Sequence, residues 1–437
     1  MVTKIDTALV KIWDQTVGAV SWIPEKTIGL FEFEPTFLRS GLDIAPVVIP
    51  IAEITASNSI FSFNTLNKET YMGLPGLLAD SLPDKFGNAI IDDWLRRQGR
   101  DAKGFSPVER LCYTGKRGMG ALEYTPSIDR SFDRSVQVKV DNLVDLAQQI
   151  MRERTKLNTE LNGTEKANAE AMLDILRVGT SAGGARPKAV IAMDQQGNVR
   201  SGQTPAPKGY DYWIVKFDGV TDAELGETKG FGRIEFAYHL MAKEAGIEMT
   251  ECKLLEENGR AHFITKRFDR LPSGDKLHMQ TLCGIAHYDF NMAGAYGYES
   301  AFTVMRKLRL PKSAAVQQYR RMVFNVLARN QDDHTKNIAF IMNSQGKWNL
   351  SPAYDITYSH NPGGQWTSQH QMSIQGKRDN FTLADLIAVG ESISLSKPQE
   401  IINEVTAAIA NWPIHAAVAG VKKATTTEIA RFHRRFE

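Results

Sequence analysis

Over the first fifty residues, apolar and polar side chains alternate in part with the two-residue period of half-buried strands. The runs ALVKIWD (8–14), VGAVSWI (17–23), IGLFEFE (28–34) and PVVIPI (46–51) predict four short strands joined by turns. From Pro75 to Arg97 the pattern becomes helical, with Ile90, Ile91, Trp94 and Leu95 on one face. RLCYTGKRGMGALEYTP then reads as a helix end, a glycine turn and a strand, and a first unit is expected to close near residue 128. Two polar helical stretches follow, at 142–158 and 164–179. Strand character returns in PKAVIAMD and YDYWIVKFD, separated by a turn at QQGN. A helix over 233–247 places Ile234, Tyr238, Met241 and Ala245 together, and ENGR predicts a hairpin turn after it.

Beyond about residue 270 the pattern is mostly helical. It is clearest over 311–330, behind Pro311, and recurs over 397–412. Two short strands at 338–343 and 347–352 flank the turn SQG. There is no internal repeat and no low-complexity segment. The reading is an α+β chain in three parts: 1–128, mixed α/β; 129–269, strand-rich; and 270–437, helical with a small hairpin inside it.

Composition narrows this little. A chain of 437 residues exceeds one typical core, and 42% hydrophobic with 23% charged residues is ordinary for a globular protein. A net charge of +2 gives no global electrostatic argument for nucleic acid or membrane binding. Cys112, Cys252 and Cys283 lie far apart, which argues against a disulfide framework or a zinc site and for a reducing compartment. No signal peptide or membrane span is expected, and the cytoplasm is the simplest location.

Three segments carry candidate chemistry. VGTSAGGARPKAVIAMD (178–194) holds Gly179, Gly183 and Gly184 among small residues, so its backbone N–H groups could approach phosphate oxygens. Ala185 and Arg186 stand where a Walker loop needs Lys and Ser/Thr, so it is not that motif. A plain surface turn is the competing reading. WIVKFD places Lys216 after an apolar, β-favouring run, and Glu235 on the next helix is a natural partner for it; a snorkelling lysine is the alternative. QDDHTKN (331–337) places Asp332 and Asn337 five apart, the D-x-x-x-x-N spacing of kinase catalytic loops. The following hairpin ends at Asp355, a candidate second magnesium ligand. A capped turn or a metal hydrolase also fits QDDHTKN alone. Glycine loop, strand lysine, helix glutamate, D-x-H-x-x-N and the acid after a hairpin, in that order, favour phosphoryl transfer. Asp333 is out of register and is expected to be structural.

On these motifs the chain resembles the HipA family of bacterial serine/threonine kinases, the toxins of toxin–antitoxin pairs. The resemblance rests on LLADSLPDKFGNAIID, GKRGMGALEYTP, SAGGARPKAVI, ITKRFDR, QDDHTKNIAF, LSPAYDI and MSIQGKRDNFTLADL, and runs nearly the whole length. It implies a protein-kinase-like bilobal fold with a helical C-terminal lobe. It also implies ATP and Mg2+ as cofactors, and Asp332 as catalytic base. Asn337 and Asp355 would hold the metal, with His334, Thr335, Lys336 and Tyr354 close to the nucleotide. Gly183, Gly184, Ala185, Arg186, Pro187 and Lys188, with Lys216, would contact phosphates. Lys266, Arg267 and Phe268 would line the adenine site, although Lys266 stands where some members carry an acid. Arg186 and Pro187 also differ from some relatives. Ser181 matches a loop serine that members autophosphorylate. Implied partners are a protein substrate such as an aminoacyl-tRNA synthetase and a small helix-turn-helix antitoxin, with DNA engaged through the antitoxin. A kinase of lipids or small molecules, and a non-enzymatic nucleotide-binding co-repressor, are the alternatives. The basic end RFHRRFE and Lys377-Arg378 are candidate DNA contacts or, more simply, solvated surface.

Overall fold

The computed structural model describes residues 4–436, apart from 56, 98, 129–134, 156–185, 221–229 and 272. It divides into two compact units. One comprises Met1–Leu42, Ile51–Gly232 and Lys253–Met279; the other comprises Asp43–Pro50, Arg233–Cys252 and Gln280–Glu437.

In the first unit, β1 (Thr7–Ile12), β2 (Gln15–Ile23), β3 (Ile28–Phe33), β4 (Ile60–Phe61) and β5 (Leu122–Thr125) form an antiparallel sheet in the order β4-β3-β2-β1-β5. The alternation expected from sequence is realised: Ala8, Val10 and Ile12 are buried, whereas Leu9 between them is exposed. The β1–β2 turn uses Trp13 and Asp14, both at positive φ, as a two-residue hairpin of this twist requires.

The run 46–51 is not a strand. Pro46 and Pro50 have no N–H for a sheet ladder, and the segment instead turns back, with Val48 and Ile49 N–H groups donating to the Ala45 carbonyl. The single helix read over 75–97 is two, Gly76–Ala79 and Lys85–Arg97, because Pro83 cannot continue the first. Ile90, Ile91, Trp94 and Leu95 do share the buried face.

A second sheet is built from β6 (Lys188–Met193), β7 (Val199–Ser201), β8 (Asp211–Lys216), β9 (Cys252–Glu257) and β10 (Arg260–Lys266), in the order β7-β6-β8-β10-β9. Ala189, Ile191, Trp213, Val215 and Ile264 form a core with apolar residues of helices Lys85–Arg97 and Val140–Thr155. The expected ENGR turn is present, with Asn258 and Gly259 at positive φ between β9 and β10. The helical stretch read over 164–179 lies outside the described residues.

The second unit is mostly helical, as expected. Its central helix, Lys312–Leu327, buries Tyr319, Met322, Val323, Phe324 and Val326. It packs with Pro398–Ala410, whose Ile402, Val405 and Ile409 are buried, and with Leu383–Ser392, whose Leu386 carbonyl accepts from the Tyr319 hydroxyl at 2.9 Å. Past the central helix, Arg329 takes a left-handed φ of 57° and reverses the chain. The loop that follows ends in a tight turn over Thr335–Asn337, then the hairpin β12 (Ala339–Met342) and β13 (Trp348–Leu350). Strand β11 (His278–Thr281), which the sequence did not suggest, precedes these in chain order.

Candidate active site

Asp332 and Asn337 owe their relation to the tight turn between them. Folding Thr335–Asn337 into one turn of 3-10 helix brings the Asn337 amide back to the Asp332 carbonyl, Nδ2 donating at 2.7 Å. That bond closes the five-residue spacing and leaves the amide oxygen of Asn337 as a hard donor. The Asp332 side chain is 41% exposed, and its Oδ1 accepts from the Trp366 indole N–H at 2.7 Å. His334 Nε2 lies 3.7 Å from the same oxygen, and its ring sits 5.4 Å from Phe290 and 6.3 Å from Trp366. Lys336 places its ammonium over Phe290 at 4.4 Å, a cation–π arrangement. The Thr335 hydroxyl donates to the Tyr288 carbonyl at 2.6 Å, and Tyr354 donates to the Lys336 carbonyl at 2.6 Å.

Asp355 follows β13 with a φ of 53°, a conformation that a non-glycine residue rarely takes and that costs on the order of 1–3 kcal/mol. It shares a recess with Asn337, Tyr354, His334 and Asp333. Two oxygen donors on one recess suit magnesium, which retains several of its waters and takes few protein ligands. Among the described residues there is no cluster of three or more His, Cys, Asp or Glu groups able to hold a metal.

Asp333 has a different fate. Its carboxylate is buried and accepts from Tyr298 Oη, His370 Nδ1 and the Gln371 backbone N–H, each at 2.8 Å. Burial pushes its pKa up, but His370 and the donated bonds outweigh burial and hold it below the usual carboxylate range. Burial and the neighbouring Asp333 push the Tyr298 hydroxyl well above its ordinary value. The chain continues outward: Asn325 Nδ2 donates to Tyr298 Oη at 3.0 Å, and Asn330 Nδ2 to Asn325 Oδ1 at 2.9 Å. On the other side, Arg434 Nη1 lies 3.3 Å from His370 Nε2, and Arg434 Nη2 donates to Asp379 Oδ1. Arg434 and Lys377, the latter paired with Asp385 at 2.8 Å, are therefore engaged within the fold.

The other candidate residues belong to the first unit, except Glu235, which lies in the second. Register puts Lys188, Lys216 and Phe263 in one cross-strand row of β6, β8 and β10. Lys216 holds its ammonium 5.7 Å from the Phe263 ring. Lys188 is buried and lies 3.8 Å from Asp84, itself buried just before helix Lys85–Arg97. Like charges directly opposed across strands repel, and Asp84 beside Lys188 offsets part of that charge. Arg186 stacks over Phe231 at 4.6 Å, and the Pro187 carbonyl accepts from Phe217 N–H at 3.1 Å. Ser181, Gly183, Gly184 and Ala185 lie outside the described residues.

Lys266 pairs with Asp211 at 2.8 Å. Arg267 is consumed by structure: its Nε and Nη2 donate to Asp269 at 2.9 and 2.7 Å, and Nη2 also reaches the Gly118 carbonyl. Its backbone N–H donates to the Tyr212 carbonyl at 2.8 Å, and Phe268 beside it is half-buried.

Sequence reasoning passed over Trp366, Asp84, His370 and Tyr298. Asp84 had a local signal, an acid just before a helix, and its Oδ1 accepts from Gly87 N–H at 2.7 Å. Trp366 had none.

Comparison with known proteins places the whole. A family model described as the HipA-like C-terminal domain matches residues 180–412, more than half of the chain. The chain belongs to the HipA family. The HipA N-terminal domain model matches residues 8–125. Two Sinorhizobium fredii proteins align over part of the chain. They are "Putative kinase Y4mE", 23% identical over 33% of both this chain and its own length, and "Putative kinase Y4dM", 30% identical over 33% of this chain and 36% of its own length. The chain thus spans about a third of the length of these curated relatives. The HipA of Shewanella oneidensis MR-1, solved in a complex with HipB and operator DNA, superposes with a TM-score of 0.67 at 17% identity. That match covers 98% of this chain and 95% of that one, so the two share a fold.

Proposed function

We propose that this HipA-family chain is an ATP- and magnesium-dependent serine/threonine protein kinase and the toxin of a toxin–antitoxin pair. The observation that carries the proposal is the loop that sets a half-exposed Asp332 against Asn337, with Asp355 on the adjoining recess. Asp332 takes the proton of the acceptor hydroxyl. Asn337 and Asp355 hold magnesium, which when bound supplies positive charge against the phosphate oxygens. Lys188 and Lys216 bind phosphates, together with Gly183, Gly184, Ala185, Arg186 and Pro187 of the glycine loop. Lys266, Arg267 and Phe268 border the adenine, the first two through backbone contacts; His334, Thr335, Lys336 and Tyr354 border the triphosphate.

The acceptor is a hydroxyl on a protein of translation, such as an aminoacyl-tRNA synthetase, and Ser181 is modified by the enzyme itself. A phosphate there adds about two negative charges, which repel the ATP phosphates. The partner is a small helix-turn-helix antitoxin that carries the operator DNA, as HipB accompanies the Shewanella HipA in its complex. The site of action is the cytoplasm; among the described residues no helix is long and apolar enough to cross a membrane.

Incubation with labelled ATP, magnesium and a cell lysate should label a discrete protein band, and Asp332→Gln should remove it while the variant stays folded. Label in the lipid or small-molecule fraction would instead identify a kinase of those acceptors. Tight ATP binding without turnover in either protein would identify a co-repressor. Intact mass should show one added phosphate in the wild type and none in Asp332→Gln; an unmodified active wild type sinks the role of Ser181.

A further inference from the structure

We infer that Trp366 is a positioning residue for the proposed phosphoryl transfer, holding the Asp332 carboxylate by one oxygen so that the other faces the acceptor hydroxyl. The inference rests on the kinase reading above. An indole N–H can only donate, and here it donates to Asp332 Oδ1 at 2.7 Å. Among the described residues Asp332 Oδ2 accepts no hydrogen bond, and the side chain remains 41% exposed. A carboxylate free to rotate about its last torsion exchanges its oxygens, because that torsion is broad. Fixing Oδ1 ends the exchange and presents Oδ2 in one direction. The exposure also decides against a plug: Trp366 restrains the acid without covering it.

The tryptophan is itself held. Its backbone carbonyl accepts from Gln371 Nε2, and the Gln371 backbone N–H donates to Asp333 Oδ1 at 2.8 Å. One segment therefore grips both acids, Trp366 on Asp332 and Gln371 on Asp333. The His334 ring lies edge-on at 6.3 Å from the indole. In the reaction the acceptor oxygen attacks the γ-phosphorus and its O–H bond breaks. The proton passes to Asp332 Oδ2, and ADP leaves with the electron pair of the broken P–O bond. The restraint acts on the angle of that proton transfer, so it affects turnover and not nucleotide affinity.

The test measures ADP release by full-length protein against ATP concentration, with magnesium and a mixed serine/threonine peptide library as acceptor. Trp366→Phe keeps a smaller aromatic ring at the position and removes the N–H. Its kcat should fall roughly 10- to 100-fold, the cost of a misplaced reacting group, with the KM for ATP within about twofold of wild type. Trp366→His restores a ring N–H and should recover part of the loss. Wild-type kcat in Trp366→Phe overturns the inference, as does a rise in kcat, which would make the indole a plug. Equal losses in the Phe and His variants also overturn it, because packing and not the hydrogen bond would then be at stake. Thermal unfolding and ATP binding by both variants report folding separately. A wild type that releases no ADP with either the peptide library or a cell lysate as acceptor removes the kinase reading, and this inference with it.

Discussion

The cluster Arg267–Asp269–Arg270 and the loop Asp332–Asn337 are both dense in charge, and from sequence alone they look alike. In the first, every unit of negative charge is answered. Asp269 accepts from Arg267, from Arg270 Nη1 at 2.8 Å and from the Gly120 N–H at 2.7 Å. The guanidinium groups also cap the Gly118 and Gly120 carbonyls. Gly120 must be glycine there: its φ is 75°, and a Cβ would lie 2.9 Å from the Met279 nitrogen. Burial pushes the Asp269 carboxyl up, but Arg267 and Arg270 overcome this and hold it far below the usual range. In the loop, Asp333 is saturated in the same way, whereas Asp332 keeps an open oxygen and considerable exposure. Charge that is fully answered builds structure; charge left partly open is available for chemistry.

The largest expected effect breaks the saturated cluster. Asp269→Asn leaves two buried guanidinium groups without their anion and should cost about 3–5 kcal/mol, read from urea unfolding; a loss under 1 kcal/mol would contradict its role. Next is Asp333→Asn, which removes a buried acceptor from Tyr298, His370 and the Gln371 N–H. It should cost about 2–3 kcal/mol, with the loop carrying Asp332 loosened as a consequence.

Acid sharpens the same contrast. The folded pKa values of Asp269 and Asp333 lie below the unfolded value of about 3.9, so the unfolded state takes up protons first as pH falls. Their stabilisation is complete above that value and is lost as pH drops from there through the folded pKa values. The urea midpoint should therefore fall below about pH 4, and less steeply in Asp269→Asn than in wild type. Lys266→Ala, which removes a pair in which both side chains are about a third or more exposed, should change stability by less than about 1 kcal/mol. Smallest is Asp332→Asn, expected to shift stability by about 0.5 kcal/mol or less while phosphoryl transfer falls by a factor of about 100 or more. A large stability loss there would place Asp332 with Asp333 and erase the distinction.

Much of the fold was legible where the signal is local. Strands β1 to β3, the helix at Lys312–Leu327 and the turn at Asn258-Gly259 follow from side-chain period and turn chemistry within a few residues. The run 46–51 reads as a strand by its apolar content, but its two prolines deny it a ladder. The pattern over 75–97 reads as one helix, but Pro83 interrupts it.

The sequence by itself determined the order of the elements and the five-residue relation of Asp332 to Asn337, which one tight turn can close. Its register also marked Asp333 as the structural acid of the pair. Tertiary structure decided what each charge meets. Trp366 reaches Asp332 from 34 residues away and His370 reaches Asp333 from 37, and register alone sets Lys188 opposite Lys216. Such partners leave no periodic trace, because a hydrogen bond between distant segments depends on where the packed core delivers them, not on the residues beside either one.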